Sequence, residues 1–212
     1  MLSVTIRGND VMFILVEIKS ILEVRPISIS STQSLENITA GHVYYLFEDR
    51  DVYLEHLITF VKTGLKTGEN VLIIESMKNI SKINAELDKH FNEEQKSNIR
   101  VVNNFDYYFA SGDFNTKAML AHFAKDVILF NRENNSIRTW ANVEWASDDP
   151  DAEELKFYEA TIDEFVLDER MVSVCAYSRT SITPTLDTIL KQLHYYQMTD
   201  ESFTVSDLYK KP

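Results

Sequence analysis

Apolar and polar positions recur along the chain with a period that switches between two values. Residues 42–47 (HVYYLF) concentrate aromatic and β-branched side chains, which predicts a strand. Glu48-Asp49-Arg50-Asp51 follows and supplies a helix start, because acids are favoured at the positive end of a helix dipole. Leu54, Leu57, Ile58, Val61 and Leu65 then recur at helical spacing. Residues 71–74 (VLII) form an unbroken apolar run, the mark of a strand covered on both faces. Ile80, Ile83, Leu87 and Phe91 predict a helix, residues 99–102 a strand, and Met119, Phe123, Val127 and Phe130 a helix over 115–130. Residues 137–145 (IRTWANVEW) alternate: Ile137, Thr139, Ala141, Val143 and Trp145 fall on one face of a strand, Arg138, Trp140, Asn142 and Glu144 on the other. Leu155, Tyr158, Ile162, Phe165 and Val166 mark a further helix, and residues 171–177 (MVSVCAY) a short apolar strand. Thr183-Pro184 is a good N-cap and first-turn pair, opening a helix through Leu186, Leu190 and Leu193. Residues 203–208 fit an edge strand or a short tail. Strands that alternate with helices imply βα units, a mainly parallel sheet and helices on both faces.

One stretch organises this pattern. Residues 64–76 (GLKTGENVLIIES) run from the end of a helix, through a turn at Gly64 and Gly68 where positive φ is expected, into a buried strand. In nucleotide-binding α/β proteins such a strand leads into a Gly-rich loop with Lys and Ser/Thr. Here Glu75-Ser76-Met77-Lys78-Asn79 follows, without a glycine. The scaffold suits a phosphate and the residues that cradle one are missing, which argues against ordinary Mg-nucleotide binding. Residues 1–39 read as an N-terminal appendage, with Pro26 and residues 28–34 (SISSTQS) as linker; the domain proper spans 40–200 and residues 201–212 form a tail.

The chain has 212 residues, enough for one α/β domain with a sizeable core. A net charge of -12 argues against non-specific nucleic-acid binding and against anionic membranes, since phosphates are repelled. Cys175 is the single cysteine, so no intramolecular disulfide forms and a reducing, cytoplasmic setting is expected. His42, His56, His90, His122 and His194 are scattered with no metal-ligand spacing, so neither a zinc site nor a cofactor is expected. No run approaches the ~20 apolar residues of a membrane span. Residues 11–16 (VMFILV) are short, and Met12 offers an alternative start.

Ligands of open α/β sheets bind beyond the carboxyl ends of the strands. That rule nominates Phe47 and Glu48 after the first strand, Glu75 after the second, Asn103 and Tyr107 after the third, Glu144 after the fourth and Tyr177 after the fifth, with Trp140 lining and Arg138 orienting. Carboxylates, amides and aromatics of this kind line pockets for a modest organic ligand. Each also has a plainer account. Glu48, Asp49 and Asp51 suit a helix cap, Asn103-Asn104 a loop, and Trp140 the core. Arg138 suits a structural ion pair with Glu144 or with an acid on a neighbouring strand. Glu75 and Glu144 could meet as paired carboxylates, but no nucleophile stands beside a base and no catalytic residue is nominated. Cys175 fits a small core residue.

The ordered set GHVYYLFED, GLKTGENVLIIES, IRTWANVEW and VSVCAYS, with the helix that ends at His194, resembles the MEDS domain, the methanogen/methylotroph sensory domain. The matched positions are His42, Gly68-Glu69, Arg138 and Glu144, and Cys175 and Tyr177, over roughly residues 40–200. The NNFDYY, GDF and RTWANVEWA stretches resemble the stand-alone versions of Bacillus-type bacteria. The resemblance implies a three-layer RecA/KaiC-like α/β fold lacking a P-loop. It also implies a non-enzymatic sensory or regulatory module that binds a small, unidentified organic ligand and signals through a partner protein. Two alternatives stay open. One is a pure interaction protein of a kinase or sigma-factor pathway, docking through Tyr195, Tyr196 and Phe203, which also suit a homodimer contact or the core. The other is a degenerate nucleotide-binding protein.

Overall fold

The computed structural model describes residues 30–108, 115–130, 136–145 and 151–211. Its element order is α1 (Ser31–Asn37), β1 (Gly41–Phe47), α2 (Arg50–Lys66), β2 (Asn70–Glu75), α3 (Met77–His90), α4 (Glu93–Lys96), β3 (Ile99–Asn103) and α5 (Asn104–Tyr108). It continues with α6 (Thr116–Phe130), β4 (Ile137–Asn142), α7 (Ala152–Glu169), β5 (Val172–Ser178), a 3-10 turn (Arg179–Ser181), α8 (Pro184–Leu193), β6 (Tyr196–Thr199) and β7 (Phe203–Val205).

The strands form one sheet in the order β3-β2-β4-β5-β1-β6-β7, parallel except for β7, which pairs antiparallel with β6. β1, β2 and β4 are buried along their whole length. In β1 and β2 that is why the sequence reads as a nearly continuous apolar or aromatic run. Two cores flank the sheet. On one face Leu35 of α1, Leu57 and Phe60 of α2 and Ile83 of α3 pack on Tyr45, Ile73 and Trp140. On the other, Phe123 of α6, Tyr158 and Ile162 of α7 and Leu190 of α8 pack on Tyr44, Leu72 and Cys175. The helices between β1 and β3 cover one face and the later ones the other, a doubly wound arrangement.

The alternation read in residues 137–142 is the one that forms. Trp140 points into the first core, and Ile137 and Ala141 into the second. The strand ends at Asn142 rather than at residue 145. Arg138 packs toward α2, where its Nε and one terminal nitrogen donate to Glu69 Oε2 at 2.9 and 2.5 Å and the other donates to the Phe60 carbonyl at 3.2 Å. Glu69 immediately precedes the neighbouring strand β2.

Two expectations change. Gly64 does not stop the helix but lies inside α2; a Cβ there would sit 2.7 Å from Arg138 Cδ, so close approach explains the glycine. Gly68 alone of the pair has positive φ, at 78°. Part of the expected linker folds: Ser30 caps α1, Leu35 is buried, and Ser31 Oγ donates to the Thr199 carbonyl. Tyr196 and Phe203 lie in β6 and β7 and pack against the first core, leaving Tyr195 the most exposed of the three aromatics. Among the described residues no helix is long and apolar enough to cross a membrane.

Candidate functional site

The carboxyl ends of β1, β2, β4, β5 and β6 come together along one edge of the sheet. Two places lie there where neighbouring strands lead into helices on opposite faces, the positions at which open α/β sheets form crevices. The first sits between β2 and β4, where Glu75 ends its strand wholly buried. Its Oε2 accepts from the Tyr53 hydroxyl at 2.5 Å, and its Oε1 accepts from Ser76 N at 2.7 Å, Asn142 Nδ2 at 2.7 Å and Asn79 Nδ2 at 3.0 Å. Tyr53 in turn accepts from Trp140 Nε1 at 2.8 Å. Burial first, and then the Glu75 carboxylate, push the Tyr53 phenol well above its ordinary range, so it stays a donor. The amide of Asn142 also donates to Glu144 Oε1 at 3.1 Å, and Asn104 Nδ2 donates to Glu144 Oε2 at 3.0 Å. Glu75 and Glu144 therefore do meet, but with an asparagine amide between them.

The second crevice lies where β1 meets β5 and β6. Backbone N–H groups at a helix N-terminus form an anion site, and α2 begins here. Four of the backbone donors around its start are already taken. Asp200, just beyond β6, accepts from Glu48 N and Asp49 N with one oxygen, each at 2.9 Å, and from the Tyr45 hydroxyl at 2.6 Å with the other. Asp49 caps the helix by accepting from Asp51 N and Val52 N. Arg179 Nε reaches Glu48 Oε1 at 3.1 Å across the crevice, both side chains exposed. Beside it a cleft of about 170 Å³ is lined by Leu46, Arg179, Asp187, Lys191 and Thr199. A phosphate cradle is missing after β2; the amides after β1 are a second such place, and a carboxylate of the chain itself fills it.

The nominated residues divide accordingly. Glu75, Trp140 and Glu144 join one hydrogen-bonded network. Asn103 stands next to it, half-buried, in register with Glu75, and accepts from Phe105 N. Glu48 is exposed at the second crevice. Phe47 is buried, its ring 4.6 Å from Tyr53 and under the Arg50 guanidinium. Tyr107 is buried and donates to Asp126, which also pairs with Arg100 at 2.6 Å. Tyr177 is buried in the second core and donates to Glu159. Arg138 belongs to the opposite end of β4, near the amino edge, where its role is the ion pair with Glu69. Asn142, Asn104, Tyr53 and Asp200 complete the edge. Of these, only Asn142, by strand parity, and Asn104, next to Asn103, carried any signal in the sequence.

One group among the described residues has the makeup to hold a metal ion, and it lies behind the edge. His42 of β1, Glu159 of α7, Cys175 of β5 and His194 at the end of α8 are all buried, with one donor atom each within 4.8 Å of the others. Burial, then the neighbouring His194, holds the His42 pKa below its ordinary value. Burial, then Glu159, pushes the Cys175 thiol up.

The profile of the MEDS family, MEthanogen/methylotroph, DcmR Sensory domain, matches residues 41–194, most of the chain. The chain belongs to the MEDS family. No functionally curated protein matches it in sequence. Two solved structures share the fold of this MEDS domain. A KaiC-like protein from the hyperthermophilic archaeon Pyrococcus horikoshii OT3 is 12% identical, with a TM-score of 0.50 over 75% of this chain and 70% of that one. A solved ATPase domain is 9% identical, with a TM-score of 0.53 over 92% and 84% of the two chains. At such identities the likeness concerns the fold alone: the MEDS domain is built on a RecA-like α/β scaffold.

Proposed function

We propose that this MEDS domain is a non-catalytic sensory module. It binds a small organic ligand at the carboxyl edge of its sheet and passes occupancy to a partner protein. The observation that supports this reading is the Asp200 carboxylate on the amides of Glu48 and Asp49. A nucleotide phosphate would have to displace an internal anion that the fold itself supplies, and would meet Glu48 and Asp49 as well. The family points to sensing; the edge keeps the polar groups and aromatic backing that orient a small ligand, with Asn142, Glu144 and Arg179 at its two crevices.

The test is a screen of small metabolites against the full chain, followed by melting temperature and by fluorescence of Trp140 and Trp145, with Mg-ATP titrated calorimetrically alongside. At least one uncharged or zwitterionic compound is expected to raise the melting temperature and Mg-ATP is expected to leave it unchanged. Glu144→Gln abolishes the response if the ligand sits between β2 and β4; Arg179→Ala abolishes it if it sits between β1 and β6. Micromolar Mg-ATP binding, or a screen with no shift, overturns the proposal.

A further inference from the structure

The side chains of His42, Glu159, Cys175 and His194 come from four different elements and converge on one point in the second core. His42 Nε2 lies 3.4 Å from Cys175 Sγ and 3.5 Å from Glu159 Oε2; His194 Nε2 lies 3.3 Å from Glu159 Oε2. Ligand atoms held ~2.0–2.3 Å from a tetrahedral zinc ion stand roughly 3.3–3.7 Å apart; these three separations match that spacing, and all four donor atoms lie within 4.8 Å of one another.

The hydrogen bonds around the group leave two of its inner atoms, Glu159 Oε2 and His194 Nε2, without a partner, while His42 Nε2 and Cys175 Sγ face each other. Leu190 O accepts from His194 Nδ1 at 2.8 Å. A carbonyl can only accept, so Nδ1 carries a hydrogen, and Nε2 is the ring atom turned toward the Glu159 carboxylate. Neither Glu159 Oε2 nor His194 Nε2 has a hydrogen-bond partner. Glu159 Oε1 is held from behind by the Tyr177 hydroxyl. Asp163 Oδ1 stands 3.4 Å from His42 Nδ1, on the far side of that ring, close but not hydrogen-bonded to it, and Asp163 Oδ2 accepts from Tyr209 at 2.9 Å. A carboxylate behind one imidazole and a carbonyl behind the other are the outer partners that orient metal-bound histidines. A divalent cation between the inner atoms would meet two neutral imidazoles, a carboxylate and a thiolate, which sum with it to zero charge, as a fully buried site requires.

We propose that His42, Glu159, Cys175 and His194 form a four-coordinate site for a divalent transition-metal ion of the zinc class. One thiolate, two imidazoles and one carboxylate favour zinc, cobalt or nickel over calcium and magnesium, which prefer all-oxygen shells. Four protein ligands leave no open position, so the ion clamps rather than catalyses. It ties β1 and β5 to α7 and α8, and with α8 the chain that runs on into β6. A cleft of about 300 Å³ at the amino edge is lined by Gly41, Val166 and Tyr209, the last of which donates to Asp163. The site is independent of the edge reading above and stands or falls without it.

The test strips the full chain with a chelator, then titrates it with Zn²⁺ in competition with a chromophoric chelator and, separately, with Co²⁺. One equivalent of metal is expected, with the visible bands of four-coordinate cobalt, a near-ultraviolet thiolate-to-cobalt band and a higher melting temperature. Cys175→Ser keeps a similar volume and is expected to lose the thiolate band. Asp163→Asn is expected to keep both bands while affinity falls ~10–100-fold, since Asp163 acts only through His42. If a variant fails to fold, the wild-type cobalt spectrum and stoichiometry still decide. Absence of stoichiometric binding overturns the site, as does an octahedral cobalt spectrum, a wild-type spectrum without the thiolate band, or a thiolate band that survives in Cys175→Ser.

Discussion

Gly64 and His56 show how single positions carry constraints that composition hides. In a helix interior Ala is favoured over Gly by about 1 kcal/mol. At Gly64 the balance reverses, because a Cβ would stand 2.7 Å from Arg138 Cδ and 3.0 Å from Val71 Cγ2. Arg138 cannot yield without loosening its contacts to Glu69 and Phe60. Gly64→Ala is therefore expected to lose about 1–3 kcal/mol in urea denaturation, the usual cost of overpacking; a gain would mean that Arg138 moves freely. His56 is buried, and the single hydrogen of the Tyr45 phenol goes to Asp200, so His56 Nδ1 donates to the phenol oxygen at 3.0 Å. Burial lowers the pKa of His56, with Asp200 pulling partly the other way. A histidine whose folded pKa is depressed takes up its proton more readily when unfolded. Its stabilisation is then complete above the unfolded value of about 6.5 and declines as pH falls from there toward the folded value. Melting temperature measured from pH 7.5 to 5 should fall less steeply in His56→Gln than in the wild type; parallel curves would refute this. The Arg138 pairing was half-legible in the sequence, since parity fixed its face and burial demanded an acid. The His42 group was not: His42 and His194 stand at opposite ends of the family match, and no local spacing reports a contact made only by folding.

Among the elements, those with a strong period were legible and those held by long-range partners were not. β1, β2 and the helices α2, α3, α6, α7 and α8 lie where apolar spacing and caps placed them, down to Thr183 as the N-cap of α8 with Pro184 in its first turn. β6 escaped notice because Tyr196–Thr199 is short and half-polar; its hydrogen bonds with β1 make it a strand. α1 escaped because a Ser-rich stretch resembles linker, although Ser30 accepting from Gln33 N is a helix start and Leu35 anchors it on α2. The elements around the candidate edge show the same split. Strand ends could be read, and so Glu75 and Glu144 were nominated, whereas Asp200 reaches the crevice only because β6 runs beside β1.

At the scale of the whole molecule, strand order carries a consequence for synthesis. β1 lies between β5 and β6, both from the far end of the chain. At ~5–20 residues per second, Gly41–Phe47 leaves the ribosome on the order of ten seconds before Val172–Ser178 can pair with it. During that interval the HVYYLF segment is an aromatic, nearly uncharged strand with two open edges, a poor state for a nascent chain. Chains arrested before β5 emerges should remain open to protease near β1 and bind holdase chaperones, and chains arrested after β6 should be protected; protection before β5 would contradict this. The acidic segment that follows the strand, Glu48 to Asp51, then acquires a use beyond capping α2: it acts as a gatekeeper that keeps an unpaired strand soluble until its partners are made.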